Sequence, residues 1–181
     1  MGRRPVVEVR LIYVSTSKVI ELTGLSAVVL REWTRRRALI PADIPAAGKG
    51  KAAKYSWSTV LVIRIANQLK EEFHIQLQAH ATQFAALREA FSERSFLALY
   101  GAAVICTPGN PWRIARADEI GTTAACLKLP LQDHLEAICG AFGQDSPQAR
   151  SPQFDLFPAT AVKTGRTGAG IERHDVGRRQ A

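Results

Sequence analysis

The sequence predicts an α+β fold that is mainly α-helical. Apolar residues recur at helical spacing through much of the first half of the chain, and shorter extended runs separated by turn residues follow. Apolar periodicity is lost from about residue 144 onward. We therefore expect three regions, namely residues 1–74, residues 75–145 and a disordered tail over residues 146–181.

The chain begins with a predicted pair of short helices. Hydroxyl groups at Ser15 and Thr16 can cap a first helix that runs to Leu22. Gly24 then makes a turn, and a second helix is expected from Ser26, a good N-cap, to about residue 37. This arrangement is a helix-turn-helix pattern.

The second helix has an apolar face and a basic face. Leu30 and Trp33 have the spacing of a buried face, so Trp33 is expected in the core. The opposite face carries Arg31, Arg35 and Arg36. A run of arginines can simply be a solvated surface, but its coincidence with a helix-turn-helix pattern favours a role in binding.

A basic, glycine-containing loop follows the helix pair. Between Ala46 and Lys54 lie the alternating residues Gly48, Lys49, Gly50 and Lys51. Small residues let a backbone approach a duplex closely, and lysines can reach phosphates. The loop does not have the pattern of a nucleotide-binding phosphate loop. A third helix is predicted after it, capped by Ser58 and running to Glu72.

The run from Val14 to Leu69 resembles the DNA-binding domain of the MerR family of bacterial transcription regulators. The residues that carry the resemblance are Gly24 in the turn, Leu30, Arg31 and Trp33 in the second helix, Leu39 and Pro41 after it, and Lys54, Tyr55 and Ser56 beyond the basic loop. It covers about a third of the chain. The chain departs from the family pattern at Ala52 and Ala53, where Arg and aromatic residues are common.

The resemblance implies a winged helix-turn-helix fold, with the basic loop as a two-stranded wing and Tyr55 on its return strand. It also implies a homodimer that binds double-stranded DNA and regulates transcription. The helix after the wing is short and lacks sustained heptads, so the residues themselves support dimerisation weakly. The candidate DNA-binding residues are Ser15, Thr16, Ser26, Ala27, Arg31, Arg35, Arg36, Lys49, Lys51, Lys54 and Tyr55.

The charge distribution agrees with binding to nucleic acid. The formal net charge is +8. Residues 1–72 contain 13 Lys or Arg against 6 Asp or Glu, whereas residues 73–145 contain 5 against 7. The positive excess therefore lies on the region that resembles a DNA-binding domain.

Residues 75–145 are predicted to form a linking helix and a small α+β appendage. The helix is expected from Gln76 to about Arg94. Three strands are expected over residues 96–106, 112–116 and 125–129, followed by a helix opened by Pro130. Asp133, His134 and Glu136 on this helix, and Asp118 and Glu119 before it, are interpreted as solvated surface, because no nucleophile lies near them. We therefore expect no enzyme activity.

Metal and cofactor sites are not expected. Cys106, Cys126 and Cys139 are widely spaced, and their apolar surroundings favour small core residues over metal ligands. His74 and His80 are six residues apart and do not share a helix face. The sequence has no membrane-spanning run and no signal peptide, which predicts a cytoplasmic, nucleoid-associated protein.

One short motif stands out in the predicted tail. Residues 153–157 resemble the clamp-binding peptide of bacterial replication and repair proteins, with Gln153, Leu156 and Phe157 as the candidate docking residues. Phe154 departs from the Leu usual in that motif. A sliding clamp, RNA polymerase or another peptide-binding partner, or no partner at all, remain open alternatives for this segment.

Two functional interpretations follow. The first is a sequence-specific, MerR-like transcriptional regulator that binds an operator as a dimer. The alternative is a DNA-binding accessory protein of replication, recombination or a mobile element, which recruits a partner through its tail. Both use the helix pair and the basic loop to bind DNA.

Overall fold

The computed structural model describes residues 12–48, 50–116, 119 and 125–143. These residues form a mixed α+β structure, about half of it helical, with five α-helices and two small antiparallel sheets. Among them, no helix combines the length and the apolar character that crossing a membrane requires. The predicted tail, residues 146–181, lies outside the described residues.

Helices dominate the first part of the described chain, and a three-stranded sheet follows them. In chain order the elements are β1 (Val14–Ser15), α1 (Thr16–Thr23), α2 (Ala27–Arg31) with a π-helical turn (Glu32–Arg36), β2 (Lys54–Tyr55), α3 (Trp57–Glu71), a 3-10 turn (Leu77–His80), α4 (Ala81–Ser92), a 3-10 turn (Phe96–Leu99), β3 (Ala102–Cys106), β4 (Arg113–Arg116), β5 (Leu127–Pro130), α5 (Gln132–Cys139) and a 3-10 turn (Gly140–Phe142).

The first helix pair forms where the sequence predicts it. Ser15 caps α1 by accepting a hydrogen bond from the backbone N–H of Lys18, and Ser26 caps α2 in the same way from Val29. Gly24 ends α1 in the left-handed region at φ 71°, and its N–H donates to the carbonyl of residue 20. A left-handed residue after a helix is a position that favours glycine.

The third helix, α3, is the central element of the core. Leu61, Ile63 and Ile65 are completely buried on it. Its N-cap is Ser56 rather than the predicted Ser58, because the Ser56 side chain accepts from the N–H of residue 59. Asp43 fixes that cap, since its carboxylate accepts from both the backbone N–H and the hydroxyl of Ser56 at 2.7 and 3.0 Å.

A single hydrophobic cluster joins both halves of the described chain. It extends from Val14 beside the first helix pair to Phe142 after α5. Leu131, at the N-cap of α5, and Leu135 and Ile138 within this helix are all completely buried. The predicted division between residues 1–74 and 75–145 stays a prediction, and the two parts share this core.

The second sheet has the strand order β4-β3-β5, with both pairings antiparallel. Val104 at its centre pairs with Ile114 on one side and Leu129 on the other. The predicted first strand is too long, because residues 96–99 form a 3-10 turn and the strand begins only at Ala102. Gly101, at φ 75°, separates the two segments.

Two further boundaries differ from prediction. The linking helix is divided into the 3-10 turn Leu77–His80 and α4. Pro130 does not open the last helix, since it is the final residue of β5 and pairs with Ala103. Because β5 is an edge strand, a residue without a backbone N–H is tolerated there, and α5 starts two residues later at Gln132.

Candidate nucleic-acid interface

The inner face of α2 anchors this helix to the core. Leu30 is 1% exposed and Trp33, in the π-helical turn, is 6% exposed. The burial predicted for Trp33 from its spacing is confirmed. With the inner side chains fixed in this way, the rest of the helix surface faces away from the core.

The opposite surface carries the three predicted arginines, which we call the basic face (Arg31, Arg35 and Arg36). All three are exposed. Within the described residues, Arg31 and Arg35 form no ion pair, and Arg36 lies 3.5 Å from Glu32 with its side chain 77% exposed. Their guanidinium groups are therefore available to an anionic partner.

Glu32 is the acidic residue nearest this surface. Its carboxylate accepts a hydrogen bond from Arg37 at 2.8 Å, and this bond holds the pKa of Glu32 below its usual value. Glu32 also marks the start of the π-helical turn, because its carbonyl accepts from the N–H of Arg37, five residues later. The carboxylate is thus engaged by Arg37 and Arg36, and within the described residues it forms no ion pair with Arg31 or Arg35.

The basic loop is closed at its base by backbone pairing. Ile44 and Lys54 exchange two backbone hydrogen bonds of 3.1 and 2.9 Å, and the loop between them contains Gly48 and Gly50 in left-handed conformations. Tyr55 is on the return segment, as predicted. That segment, β2, pairs with β1 rather than with a long outgoing strand of the loop.

A groove with a volume of about 440 Å³ separates α2 from the basic loop. Arg31 and Arg35 are on its helix side, and Ala52 is on its loop side. Tyr55 also lines the groove, although only 2% of this residue is exposed. A buried ring is a poor candidate for direct contact with DNA, and Tyr55 instead supports the groove from the core.

The other predicted DNA-binding residues occupy varied positions. Ser15 and Ser26 are exposed and act as helix caps, Ala27 is exposed in the first turn of α2, and Thr16 is half-buried beside the groove. Lys51 and Lys54 are exposed on the loop and its return strand. Lys49 and the predicted docking residues Gln153, Leu156 and Phe157 lie outside the described residues.

A second polar region was not predicted from the sequence. We call it the polar cleft: a cavity of about 330 Å³ between α3 and α5. Its charged and amide-bearing lining residues are Arg64, Asn67, Gln68, Glu71, Glu72, Asp133 and His134. The sequence does contain a signal of this cleft. The polar residues at positions 64, 67 and 68 of an otherwise apolar helix are three and four residues apart, so they lie on one side of that helix.

The interpretation of His134 as solvated surface is wrong. The residue is only 9% exposed, and its Nε2 lies 2.9 Å from Oε1 of Gln68. Desolvation, and then the nearby charge of Arg64, lower the pKa of His134 to about 4. The imidazole is therefore neutral at pH 7. Asp133 is exposed as predicted.

The cysteines differ from one another in environment. Cys106 is buried in β3, and burial raises its pKa to about 12. Cys139 is half-buried. Cys126 is exposed, contrary to the expectation that it is a core residue. Together with Cys106 and Trp112, it lines a cavity of about 680 Å³. Among the described residues, no group of three or more His, Cys, Asp or Glu side chains is arranged to hold a metal ion.

Comparison with known proteins adds no further assignment, because no protein-family model matches the chain and a search of curated proteins finds no significant match.

Proposed function

We propose that this protein binds double-stranded DNA through the basic face of α2, and that it acts as a MerR-like transcriptional regulator. The observation that carries the proposal is the exposure of Arg31 and Arg35 without an ion pair in the described residues, on a helix held by Leu30 and Trp33. Unpaired arginines on a rigid helix can be directed at phosphates or base edges.

The geometry of the helix pair supports the same proposal. An α-helix fits the major groove, and in helix-turn-helix proteins the N-terminal part of the second helix approaches the bases. Here that part carries exposed Ala27 and Val28, the latter 73% exposed. An apolar side chain at such a position can contact a thymine methyl group.

The basic loop would supply contacts to the backbone of the duplex. Lys51 and Lys54 are exposed and line a second groove, between the basic loop and β1. Lysines on a glycine-containing loop act as mobile point charges, so they add affinity without reading sequence. We propose a homodimer on a pseudo-palindromic operator, and this part rests on the family resemblance alone.

The test is the replacement Arg35→Ala, with Arg113→Ala on β4 as the matched control. Both arginines are exposed and neither forms an ion pair in the described residues. If Arg35 contacts a phosphate, the salt dependence of binding becomes shallower by about one unit on every duplex. If it contacts a base, affinity for the selected operator falls by about 1 to 3 kcal/mol, with little change on random DNA.

Binding sites for this test can be selected from a random duplex library with the full chain. Arg113→Ala should leave both the affinity and the salt slope unchanged. Equal, small losses in both variants would show that only the net charge matters. Unchanged binding in Arg31→Ala and Arg35→Ala would remove the basic face from the interface.

A further inference from the structure

Val28 is an apolar side chain on the exposed surface of α2. It is 73% exposed, the highest value among the exposed large apolar side chains of the described residues, compared with 53% for Leu97. The next two residues are used differently, because Val29 packs partly against the core and Leu30 is buried in it. Valine is also a poorer helix former than alanine. Neither burial nor helix propensity therefore explains a valine at this position.

The surroundings of Val28 on the helix are basic. Arg31 lies on the same side of α2, because side chains three residues apart in an α-helix are neighbours. Arg31 is exposed and forms no ion pair in the described residues. Glu32 is the nearby acidic residue, and its carboxylate is already paired with Arg36 and Arg37. The surface around Val28 thus favours an anionic partner that also offers an apolar group.

The role of Val28 rests on the proposed function, in which the anionic partner is double-stranded DNA. On the base edges of the major groove, the apolar group is the C5-methyl of thymine, whereas the other groups listed by base are hydrogen-bond donors or acceptors. A valine in a helix has one strongly preferred side-chain rotamer, so its two methyl groups form a rigid apolar surface. Contact between this surface and a thymine methyl removes apolar area from water.

We propose that Val28 is a specificity-determining residue that contacts the methyl group of a thymine in the bound DNA site. Arg31 fixes where a second base is contacted. Three helical residues rise about 4.5 Å, and successive base pairs are about 3.4 Å apart. Arginine contacts guanine more often than any other base. The site therefore contains a thymine with a guanine about one or two base pairs away.

The test replaces thymine by uracil, which lacks the C5-methyl group and has the same hydrogen-bonding groups. Duplexes that bind the full chain are selected from a random library, and each thymine of the selected site is then replaced in turn. At one of these positions, the affinity of the wild type should fall about three- to fivefold, as expected for the loss of one buried methyl group.

The variant Val28→Ala shows whether this loss depends on Val28. It should bind the thymine duplex about three- to fivefold more weakly than the wild type, and it should lose most of its sensitivity to uracil at the same position. Leu97→Ala removes another exposed apolar side chain and is the matched control, which should keep the affinity and the sensitivity of the wild type. Folding of Val28→Ala is not at risk, because the residue is exposed and alanine favours a helix.

Two outcomes would overturn the role of Val28 alone. One is a wild type that binds every uracil duplex as tightly as the thymine duplex, and the other is a Val28→Ala variant that stays as sensitive to uracil as the wild type. In both cases Arg35→Ala still weakens binding, so the proposed function stands. If the full chain selects no duplex, or Arg31→Ala and Arg35→Ala bind like the wild type, the proposed function fails and the role of Val28 fails with it.

Discussion

The basic face of α2 and the polar cleft between α3 and α5 use arginine in opposite ways. Arg31 and Arg35 are exposed and unpaired in the described residues, on a helix whose inner face is buried. Arg64 is half-buried, donates to the Leu22 carbonyl, and lines the polar cleft. Exposed arginines without an ion pair are available to a partner, whereas Arg64 is held in the fold by its bond to the Leu22 carbonyl.

The largest expected effect concerns the inner side of α2, on which the basic face depends. Trp33→Ala removes a nearly buried aromatic side chain and should lower the free energy of unfolding by about 3 to 5 kcal/mol. Urea unfolding followed by circular dichroism measures this loss. Arg35→Ala on the same turn is the control and should stay near the wild-type value. Unchanged stability in Trp33→Ala would mean that Trp33 on the inner face contributes no more to the free energy of unfolding than Arg35 on the basic face.

The next effect is a pH dependence of stability that arises in the polar cleft. Burial lowers the pKa of His134 from 6.5 to about 4, so between these values the unfolded chain binds more protons than the folded one. Stability is therefore fully present above pH 6.5 and falls as the pH drops towards 4. At about 1.4 kcal/mol per pKa unit, the loss reaches about 3 kcal/mol by pH 4.

The measurement is the unfolding free energy of the wild type and of His134→Leu between pH 4 and 7. Carboxylates elsewhere titrate in both proteins, so the difference between the two curves isolates the histidine. This difference should shrink as the pH falls. If the two curves of unfolding free energy against pH are parallel, folding does not lower the pKa of His134, and its side chain is in contact with solvent.

A smaller effect on stability is expected when the half-buried Arg64 and the exposed Arg35 are each replaced by alanine. Arg64→Ala leaves the Leu22 carbonyl without its donor and should destabilise the protein by about 1 to 3 kcal/mol. Arg35→Ala, by contrast, should change stability by less than about 0.5 kcal/mol while it weakens DNA binding. Thermal unfolding of both variants checks the pair. Equal destabilisation would show that the basic face is also a structural element.

The local features of this protein can be predicted from its sequence. Serines at 15 and 26 and glycine at 24 specify helix ends through their own backbone and side-chain hydrogen bonds, so their roles are visible at short range. The burial of Trp33 followed from its spacing on α2. The strands predicted over residues 96–106 and 112–116 are present as β3 and β4, although β3 begins only at Ala102.

Features that join residues far apart in the sequence depend on how the chain packs. The pairing of β1 with β2 and the fixation of Ser56 by Asp43 depend on chain segments that meet only after folding. The clearest case is His134, which meets Gln68 from 66 positions away and becomes buried and neutral as a result. A local pattern reports how polar a residue is, but desolvation and hydrogen bonding depend on the neighbours that packing brings to it.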